Sequence, residues 1–442
     1  MVPCVAVFDI GKTNKKLLLF DQNYQIIKEE ETCLKETVDE DGDKGEDLAA
    51  LANWLKRTWH LLEQDLHYDV LAVNFTTYGA SLVHLDQAGN AVAPLYNYLK
   101  PFPSHLEEQF HAKYGDRIEI TSQTSSPALG MLNAGLQLYW LKHCKPALFK
   151  KVRHSLHLPQ YISYLFTGHL VSEYTSIGCH TALWDFKTQS YHKWVQAEEL
   201  DRLFPPLRPH AQPLQAMFRG KKIPAGLGLH DSSSALIPYL KQYKQPFLLL
   251  STGTWGITLN PFAKRPICSS DLQQDCLLYL TYQGKKVKAS RKFIGNAHEE
   301  QVKHLAAYYK KPQDFFKSVP YNAAFLSETG YYPLLQEQEQ TAVKAKISPR
   351  VRINLDLALY PSYEAAYHHL VAQIVQEQLC SLQLAAEGDL SAFELLLVDG
   401  GFSRNKIFMS LLQNACPGLE IKAGKSAQGT ALGAALVMDM WP

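Results

Sequence analysis

The sequence predicts an α/β protein of two domains. Segments typical of strands alternate with amphipathic segments typical of helices, which is the pattern of α/β folds. The chain has 442 residues, which is long for a single hydrophobic core. A strand, a turn rich in Gly and Thr, and a second strand occur at residues 5–21 and again at 247–259. This recurrence indicates two halves of similar design, and we place the boundary between them near residue 240.

The individual elements follow from the spacing of apolar residues. In the first half we predict strands at 5–10, 16–21 and 70–75, and helices at 47–64, 135–143, 160–165 and 232–240. In the second half we predict strands at 247–250, 255–259 and 393–398, and helices at 363–384, 405–413 and 429–440. Because a short turn joins them, residues 5–10 and 16–21 are expected to form a hairpin.

Composition excludes several classes of protein. The formal net charge is +1 without long charged blocks, so neither nucleic acid nor an acidic surface is indicated as a partner. No apolar run has the length of a membrane span, and residues 1–9 lack the features of a signal peptide. The eight cysteines are scattered without a CxxC pair, so we expect reduced thiols in a cytoplasmic protein.

The first candidate site lies at residues 9–16, Asp-Ile-Gly-Lys-Thr-Asn-Lys-Lys. Gly11 lets a phosphate approach the backbone N–H groups of the turn, and Asp9 is a carboxylate suited to Mg²⁺. Lys12, Lys15 or Lys16 would neutralise phosphoryl charge. A P-loop is excluded, because the required early glycine is Ala6 and a strand rather than a helix follows. The alternative is an ordinary hairpin turn.

Three further motifs carry polar residues next to glycines. In residues 226–235, Asp231 follows a glycine-rich turn and would accept a proton from a substrate hydroxyl, or simply cap the next helix. Residues 251–256, Ser-Thr-Gly-Thr-Trp-Gly, suit nucleotide phosphates, or form a tight hairpin. In residues 399–405, two glycines allow contact with a flat ligand such as adenine, and Asn405 would bind that ligand or cap its own helix.

These four motifs occur in the order found in the FGGY family of carbohydrate kinases, which the chain resembles over nearly its whole length. Residues 251–255 and 291–296 are most similar to the rhamnulokinase and fuculokinase branch. The resemblance implies two actin-like (ribonuclease H-like) domains flanking a central cleft. It also implies ATP and Mg²⁺ as cofactors, with phosphoryl transfer to a hydroxyl of a small sugar.

The resemblance assigns a role to each motif. Asp231 would be the catalytic base and Asp9 the metal-side carboxylate. The residues implied to bind the nucleotide are Gly11, Lys12, Thr13, Asn14, Thr252, Gly253, Thr254, Gly400, Gly401 and Asn405. Those implied to bind the sugar are Thr77, Tyr78, Gly79 and Lys100, together with Asp231. Residues 1–240 would form the sugar and phosphate side, and residues 241–442 the adenosine and phosphate side.

The chain departs from the family at sugar-side positions. Residues 95–101 lack the usual carboxylate, and Gln160 stands where many members have Asp. Lys12 replaces the usual Thr or Ser. We expect a ketose such as rhamnulose, fuculose or xylulose as substrate, and a homodimer is possible. The alternatives are another actin-like ATPase or small-acid kinase, or a sugar-binding sensor without catalysis.

Overall fold

The chain forms two compact units in the computed structural model, which describes residues 1–327, 351, 353, 355–424 and 428–441. The first unit comprises residues 1–242 together with residues 278–286 and 428–441. The second comprises residues 243–277 and the described residues of 287–424. The first division thus falls between residues 242 and 243, and two later segments pack with the first unit, because packing rather than chain order defines each core.

The first unit contains a central sheet with helices on both faces. Its strands are β1 (Val2–Ile10), β2 (Asn14–Phe20), β3 (Ile26–Cys33), β4 (Glu36–Val38), β5 (Lys44–Glu46), β6 (Tyr68–Thr77), β7 (Leu82–Leu85), β8 (His154–His157), β9 (Trp184–Asp185), β10 (Ser190–Tyr191), β11 (Leu214–Phe218), β12 (Lys221–Ala225) and β13 (Leu229–His230). Its helices are α1 (Leu48–Gln64), α2 (Ser104–Tyr114), α3 (Arg117–Thr124), α4 (Ala134–Cys144), α5 (Pro146–Phe149), α6 (Leu158–Thr167), α7 (Tyr174–Ile177), α8 (Lys193–Ala197), α9 (Asp231–Gln242) and, near the end of the chain, α15 (Gly429–Val437).

The order of the central strands places three carboxyl ends side by side. The sheet runs β11-β12-β6-β1-β2-β3, and β13 also pairs with β6. Strands β1 and β2 form the predicted antiparallel hairpin, whereas β6 runs parallel to both β1 and β13. Because parallel strands end at the same edge of a sheet, residues that follow β1, β6 and β13 lie close together.

Alternation along β1 directs its side chains to two separate cores. Phe8 and Ile10 pack on one face with Leu51 and Trp59 of α1, an arrangement that the helical period of α1 predicts. Val5 and Val7 point to the other face, where α9 and α15 pack. In α15, Gly433 lies so close to α9 that a Cβ there would come within 2.0 Å of the Ser234 carbonyl oxygen. The small residues of α15 therefore serve helix packing, as predicted.

The second unit repeats the strand plan of the first. Its sheet contains β14 (Phe247–Thr252), β15 (Gly256–Asn260), β16 (Cys276–Leu280), β17 (Lys286–Lys292), β18 (Leu395–Gly400) and β19 (Glu420–Ala423), in the order β16-β17-β15-β14-β18-β19. Residues 278–280 of β16 and Lys286 of β17 are counted with the first unit. Its helices are α10 (Ser269–Gln273), α11 (Ile294–Tyr308), α12 (Ala324–Ser327), α13 (Tyr363–Ala385) and α14 (Lys406–Ala415). Strands β14 and β15 form a hairpin, and β14 runs parallel to β18, as β1 does to β6.

The cysteines and the longest helices bear on the class of protein. The eight cysteines, all of which are described, are free. In the described part of the chain, no helix combines the length and the apolarity that crossing a lipid bilayer requires.

Candidate active site

The carboxyl edge of the first sheet gathers the acidic residues predicted to be functional. Asp9 of β1 lies opposite Thr76 of β6, and Leu229 of β13 lies opposite the same residue. Asp231 follows β13 directly and begins α9. Strand β6 therefore lies between the strand that carries Asp9 and the strand that leads into Asp231. The structure brings the two predicted carboxylates to one edge of one sheet.

Asp9 is held in an environment that disfavours its charge. Burial raises the pKa of Asp9 from 3.8 to about 6; a hydrogen bond from Thr430 lowers it and the negative charge of Asp231 raises it further. The Thr430 hydroxyl donates to Asp9 Oδ2 over 3.0 Å. Thr430 belongs to the first turn of α15, so a residue far along the chain completes the surroundings of Asp9. A carboxylate in this setting is poised to gain from a nearby cation.

Asp231 keeps one oxygen available for chemistry. Its Oδ1 accepts hydrogen bonds from the Ser232 backbone N–H at 2.6 Å and from the Ser232 hydroxyl at 3.2 Å. His230 Nε2 lies 3.1 Å from the same oxygen. Among the described residues, Oδ2 has no hydrogen-bond partner, and the side chain is 35% exposed. Asp231 is thus oriented through one oxygen, while the other can accept a proton from a ligand.

The turn between β1 and β2 is closed by its own backbone and by a buried lysine. The Gly11 N–H donates to the Asn14 carbonyl oxygen at 2.9 Å. Lys15 Nζ donates to the carbonyl oxygens of Gly11 and Lys12, both at 3.1 Å. Thr13 at the tip is exposed. The turn therefore directs carbonyl groups inward and leaves its tip open to a ligand.

The lysines of this turn have different surroundings. Lys16 forms ion pairs with Glu29 and Glu31 of β3, at 2.8 and 3.1 Å. Lys12 Nζ instead lies over the rings of Tyr78 and Tyr98, 5.5 and 5.4 Å from their centroids. Among the described residues, Lys12 forms no ion pair, so its positive charge is available to an anion.

The segment after β6 is shaped by packing beside Asp231. The Thr77 hydroxyl is fully buried and donates to the Tyr78 carbonyl oxygen at 2.8 Å. A Cβ at Gly79 would lie 2.9 Å from the ring of His230, so glycine allows that ring to approach. Thr77, Tyr78 and Gly79 therefore line the neighbourhood of His230 and Asp231. Their predicted contact with a sugar stays a prediction.

Lys100 has a role that the sequence did not predict. Its ammonium lies 2.7, 3.0 and 2.6 Å from carboxylate oxygens of Asp39, Asp41 and Asp43. The loop between β4 and β5 thus encloses the charge that we expected to meet a sugar. Three carboxylates surround the cation and tie residues 95–101 to this acidic loop. The predicted contact of Lys100 with a sugar stays a prediction.

Gln160 of α6 supports the loop that precedes Asp231. Its Nε2 donates to the carbonyl oxygens of Leu227 and Gly228, at 3.2 and 3.1 Å. Its Oε1 is buried and has no hydrogen-bond partner among the described residues. An aspartate here would lack the N–H donors for these carbonyl groups, so in this chain Gln160 fixes the course of the backbone into β13.

In the second unit, the turn between β14 and β15 packs on the start of α11. The backbone N–H groups of Gly295 and Asn296 donate to the Thr254 carbonyl oxygen, at 3.1 and 3.2 Å. A Cβ at Gly295 would meet the Gly253 carbonyl oxygen at 1.8 Å. A Cβ at Gly253 itself would meet no atom within 4 Å. Gly253 and Thr254 are exposed, so this turn presents a backbone surface that a ligand can approach.

A second turn, after β18, is joined to the first one by Thr252. The Thr252 hydroxyl donates to the Asp399 carbonyl oxygen at 2.5 Å and accepts from the Phe402 N–H at 3.0 Å. Gly400 has φ of 84°, and a Cβ there would lie 1.8 Å from the Thr252 carbonyl oxygen. Gly401, in contrast, borders open space. Thr252 and Gly400 thus have structural roles here, whereas Gly401 is free for a ligand.

Asn405 caps helix α14, which was one of its two predicted alternatives. Its Oδ1 accepts from the N–H groups of Ile407 and Phe408, at 3.0 and 3.2 Å. Its Nδ2 donates to the Tyr367 hydroxyl at 2.8 Å. The side chain is therefore engaged with the protein at both ends, and a contact with a nucleotide stays a prediction.

Several residues at these sites were not singled out by the sequence. Thr430 donates a hydrogen bond to Asp9, and His230 Nε2 lies 3.1 Å from Asp231 Oδ1. Glu46, which pairs with Lys15, was not a candidate at all. The sequence gives only weak signals for Thr430, a single hydroxyl in a helix of small residues, and for His230, a histidine next to an acid. No motif in the sequence marks Glu46.

A family model identifies the chain. The model of the FGGY family of carbohydrate kinases, N-terminal domain, matches residues 4–237, which is more than half of the sequence. The chain belongs to the FGGY family of carbohydrate kinases. This membership confirms the resemblance seen in the motifs.

Curated and solved members of the FGGY family extend the comparison. A rhamnulokinase from Oceanobacillus iheyensis is 24% identical over 220 residues, covering 47% of this chain and 44% of that protein. The chain spans about half the length of the curated relatives it matches. A carbohydrate kinase structure from Novosphingobium aromaticivorans aligns with a TM-score of 0.82 at 20% identity, covering 100% of this chain and 92% of that one.

A structure of Plasmodium falciparum glycerol kinase with ADP aligns with a TM-score of 0.74 at 15% identity, covering 100% of this chain and 90% of that one. The solved structures confirm the predicted α/β fold of two actin-like domains. The rhamnulokinase match agrees with the branch that residues 251–255 and 291–296 indicated.

The residues present fit the cofactors that FGGY kinases imply. Gly253 and Gly401 border open space that packing does not require, as backbone facing a nucleotide would. Among the described residues, no group of three or more His, Cys, Asp or Glu side chains is arranged to hold a metal ion. A single carboxylate such as Asp9 suits Mg²⁺, which takes its other ligands from phosphates and water. Asp9 would hold this ion.

Proposed function

We propose that this chain transfers the γ-phosphoryl group of ATP to a hydroxyl of a small sugar, a ketose such as rhamnulose, fuculose or xylulose. The observation that carries the proposal is the arrangement of Asp9 and Asp231 at the carboxyl edge of one sheet, with an exposed turn after Asp9 and with Asp231 at the start of α9. Membership of the FGGY family and the rhamnulokinase relative support it.

Each carboxylate has a separate task in the proposed reaction. Asp231 accepts the proton of the attacking sugar hydroxyl at Oδ2, while its Oδ1 is held by Ser232 and lies beside His230. Asp9 faces the metal side, where Mg²⁺ supplies neutralisation of phosphate charge when bound. Lys12 adds a positive charge at the turn. Two carboxylates with different surroundings can thus divide proton transfer and metal binding between them.

The second unit contributes backbone rather than charged side chains. Gly253 and Thr254 offer an exposed turn for the phosphates, and Gly401 offers a surface without a side chain for the adenosine. ATP as the donor is further supported by the glycerol kinase neighbour, whose structure was determined with ADP. We keep Thr252, Gly400 and Asn405 in this proposal as residues that shape the nucleotide side.

The test is sugar-dependent release of ADP, measured with a panel of ketoses, polyols and sugar acids. We expect turnover with a 6-deoxyketose or xylulose, and no comparable rate without a sugar. The Asp231→Asn variant should lose about 10²- to 10⁴-fold in kcat while binding of ADP survives. Asp439→Asn is the matched control, because this carboxylate is 77% exposed and pairs only with Lys241 at 2.8 Å among the described residues. Near-normal turnover of Asp231→Asn would refute its role as the base.

A further inference from the structure

A buried network links Lys15 to the turn between β1 and β2 and to Glu46 of β5. The Lys15 side chain is 3% exposed and that of Glu46 is 5% exposed, with Nζ 2.7 Å from Oε1. The same ammonium donates to the carbonyl oxygens of Gly11 and Lys12. The Lys15 ammonium thus forms two hydrogen bonds within the turn and one ion pair with a carboxylate on another strand.

The network continues from Glu46 to Tyr78. The Tyr78 hydroxyl donates to the second carboxylate oxygen of Glu46. Burial and the negative charge of Glu46 raise the pKa of Tyr78 well above its ordinary range, so the phenol remains a neutral donor. The ring of Tyr78 is therefore fixed at its hydroxyl end, and its face lies under the ammonium of Lys12 at 5.5 Å.

Both ends of Lys12 thereby depend on one ion pair. Its carbonyl oxygen is held by Lys15, and its ammonium rests on a ring that Glu46 holds. The second ring under this ammonium, that of Tyr98, lies close enough to Asp231 that burial and the charge of Asp231 both raise the pKa of Tyr98. The ammonium of Lys12 thus lies over two aromatic rings, 5.5 Å from the Tyr78 centroid and 5.4 Å from that of Tyr98.

Stability alone does not account for this arrangement. Desolvation of two charges offsets most of their attraction, so apolar side chains of similar volume commonly replace a buried ion pair at little cost. A catalytic cation, in contrast, gains from being held in place before the charge on the phosphoryl group develops. Aromatic faces hold Lys12 without neutralising it, which a carboxylate would do.

We propose that Lys15 and Glu46 are positioning residues, which through the turn carbonyls and Tyr78 hold the Lys12 ammonium toward the phosphoryl group that is transferred. The inference rests on the proposed kinase reaction. Lys12 touches the phosphoryl group, whereas Lys15 and Glu46 act through it. No bond is made or broken in the network, and its protons stay where they are.

The test is a double-mutant cycle on kcat. One change is Lys12→Met; the other is the paired change Lys15→Met with Glu46→Gln, which removes both buried charges together and avoids leaving one unpaired. We expect the paired change alone to lower kcat about a hundredfold through misplacement of Lys12. In the Lys12→Met background it should cost less than about threefold, because the group it positions is gone. Equal losses in both backgrounds would overturn the proposal.

A second pair, with a buried Glu198 and a half-buried Lys142, controls for loss of an ion pair as such. Lys142→Met with Glu198→Gln removes a pair whose atoms lie 2.6 Å apart in the same unit, together with the contacts of Glu198 to Lys113 and His143. Among the described residues, this group has no contact with the turn. We expect its kcat to stay within about twofold of wild type. A loss like that of the Lys15 and Glu46 pair would show that the effect is general destabilisation, and would overturn the proposal.

Binding of the ATP analogue with a β,γ-imido bridge, measured by calorimetry, separates this inference from the proposed function. If the wild type binds the analogue but shows no sugar-dependent turnover, the proposed function fails. The same double-mutant cycle, measured on the Kd of the analogue, then decides the inference. If the paired change weakens affinity only when Lys12 is present, the inference is supported. If the paired change weakens affinity equally with and without Lys12, the inference is overturned. If the wild type does not bind the analogue, both proposals fail.

Discussion

Replacement of Asp9 by Asn should stabilise the ligand-free protein at neutral and alkaline pH. The raised pKa means that the folded protein prefers the neutral carboxyl group, so the charged form opposes folding. A pKa of 3.8 in the unfolded chain and about 6 in the fold corresponds to about 3 kcal/mol at pH 8. Asn resembles the neutral carboxyl group and can still bond to Thr430. Asp9→Asn should therefore be more stable than the wild type by up to about 3 kcal/mol at pH 8.

The sign of the pH dependence gives the decisive measurement. The loss of folding stability caused by the charge of Asp9 is absent below pH 3.8, grows as the pH rises, and is complete above about pH 6. Urea unfolding of both proteins, followed by tryptophan fluorescence and circular dichroism at several pH values, should show a stability difference that closes from pH 7 to pH 4. Asp439→Asn should show no such trend. A difference that is independent of pH, or a less stable Asp9→Asn protein at pH 8, would refute the reasoning.

A ligand test follows from the same carboxylate. Mg²⁺ with ADP should stabilise the wild type more than the Asp9→Asn variant, because binding to the folded state alone adds stability that grows with the logarithm of the affinity. Equal stabilisation of both proteins would mean that Asp9 does not bind the metal ion.

Three other predictions concern residues whose roles the structure separates. Gly401→Ala should weaken binding of ADP with little loss of stability. Gly400→Ala should instead lower the free energy of unfolding by about 1–3 kcal/mol, because the φ of 84° at Gly400 and the nearby Thr252 carbonyl group disfavour a Cβ. Calorimetry measures the first effect and urea unfolding the second, and the reverse pattern would contradict the assignment. Lys100→Met should lower the free energy of unfolding by about 2 kcal/mol, because it leaves the carboxylates of the acidic loop unpaired. The KM for the sugar should stay unchanged, and a raised KM would instead support a contact between Lys100 and the substrate. Burial lowers the pKa of His84 from 6.5 to about 4, so its contribution to stability, present above pH 6.5, should be lost as the pH falls to 4. In urea unfolding, the free energy of unfolding of a His84→Gln variant should therefore decline less steeply over this pH range than that of the wild type. An equal decline in both proteins would exclude this role.

The motifs could be predicted because each one is local. The hairpin of β1 and β2, the helix α1 and the turn before Asp231 all follow from short stretches whose apolar spacing and glycines are visible in the sequence. The strands were nevertheless predicted too short. Thr252 and Gly400, which we predicted as turn residues, pair with each other across β14 and β18. Backbone ladders of this kind leave no mark in a hydrophobic pattern, because they depend on N–H and C=O groups alone.

Contacts between distant parts of the chain were not predictable. Lys100 meets an acidic loop about 60 residues earlier, and Glu46 meets Lys15 across two strands that have no common motif. Each of these charges is locally compatible with an exposed position. Only the packing of the first unit decides that Lys15 and Glu46 are buried and that Lys100 is already satisfied by carboxylates.

The return of α15 to the first unit affects the order in which the protein can fold during synthesis. Residues 1–242 emerge from the ribosome long before residues 429–437, yet until that helix arrives only α9 covers the face of the sheet that carries Val5 and Val7. Asp9 likewise gains its hydrogen bond from Thr430 only then. The nascent first unit must therefore wait with an apolar surface exposed, which is a state that chaperones recognise. A fragment that ends at residue 242 should share this fate permanently and aggregate, whereas adding residues 428–442 in trans should rescue its solubility.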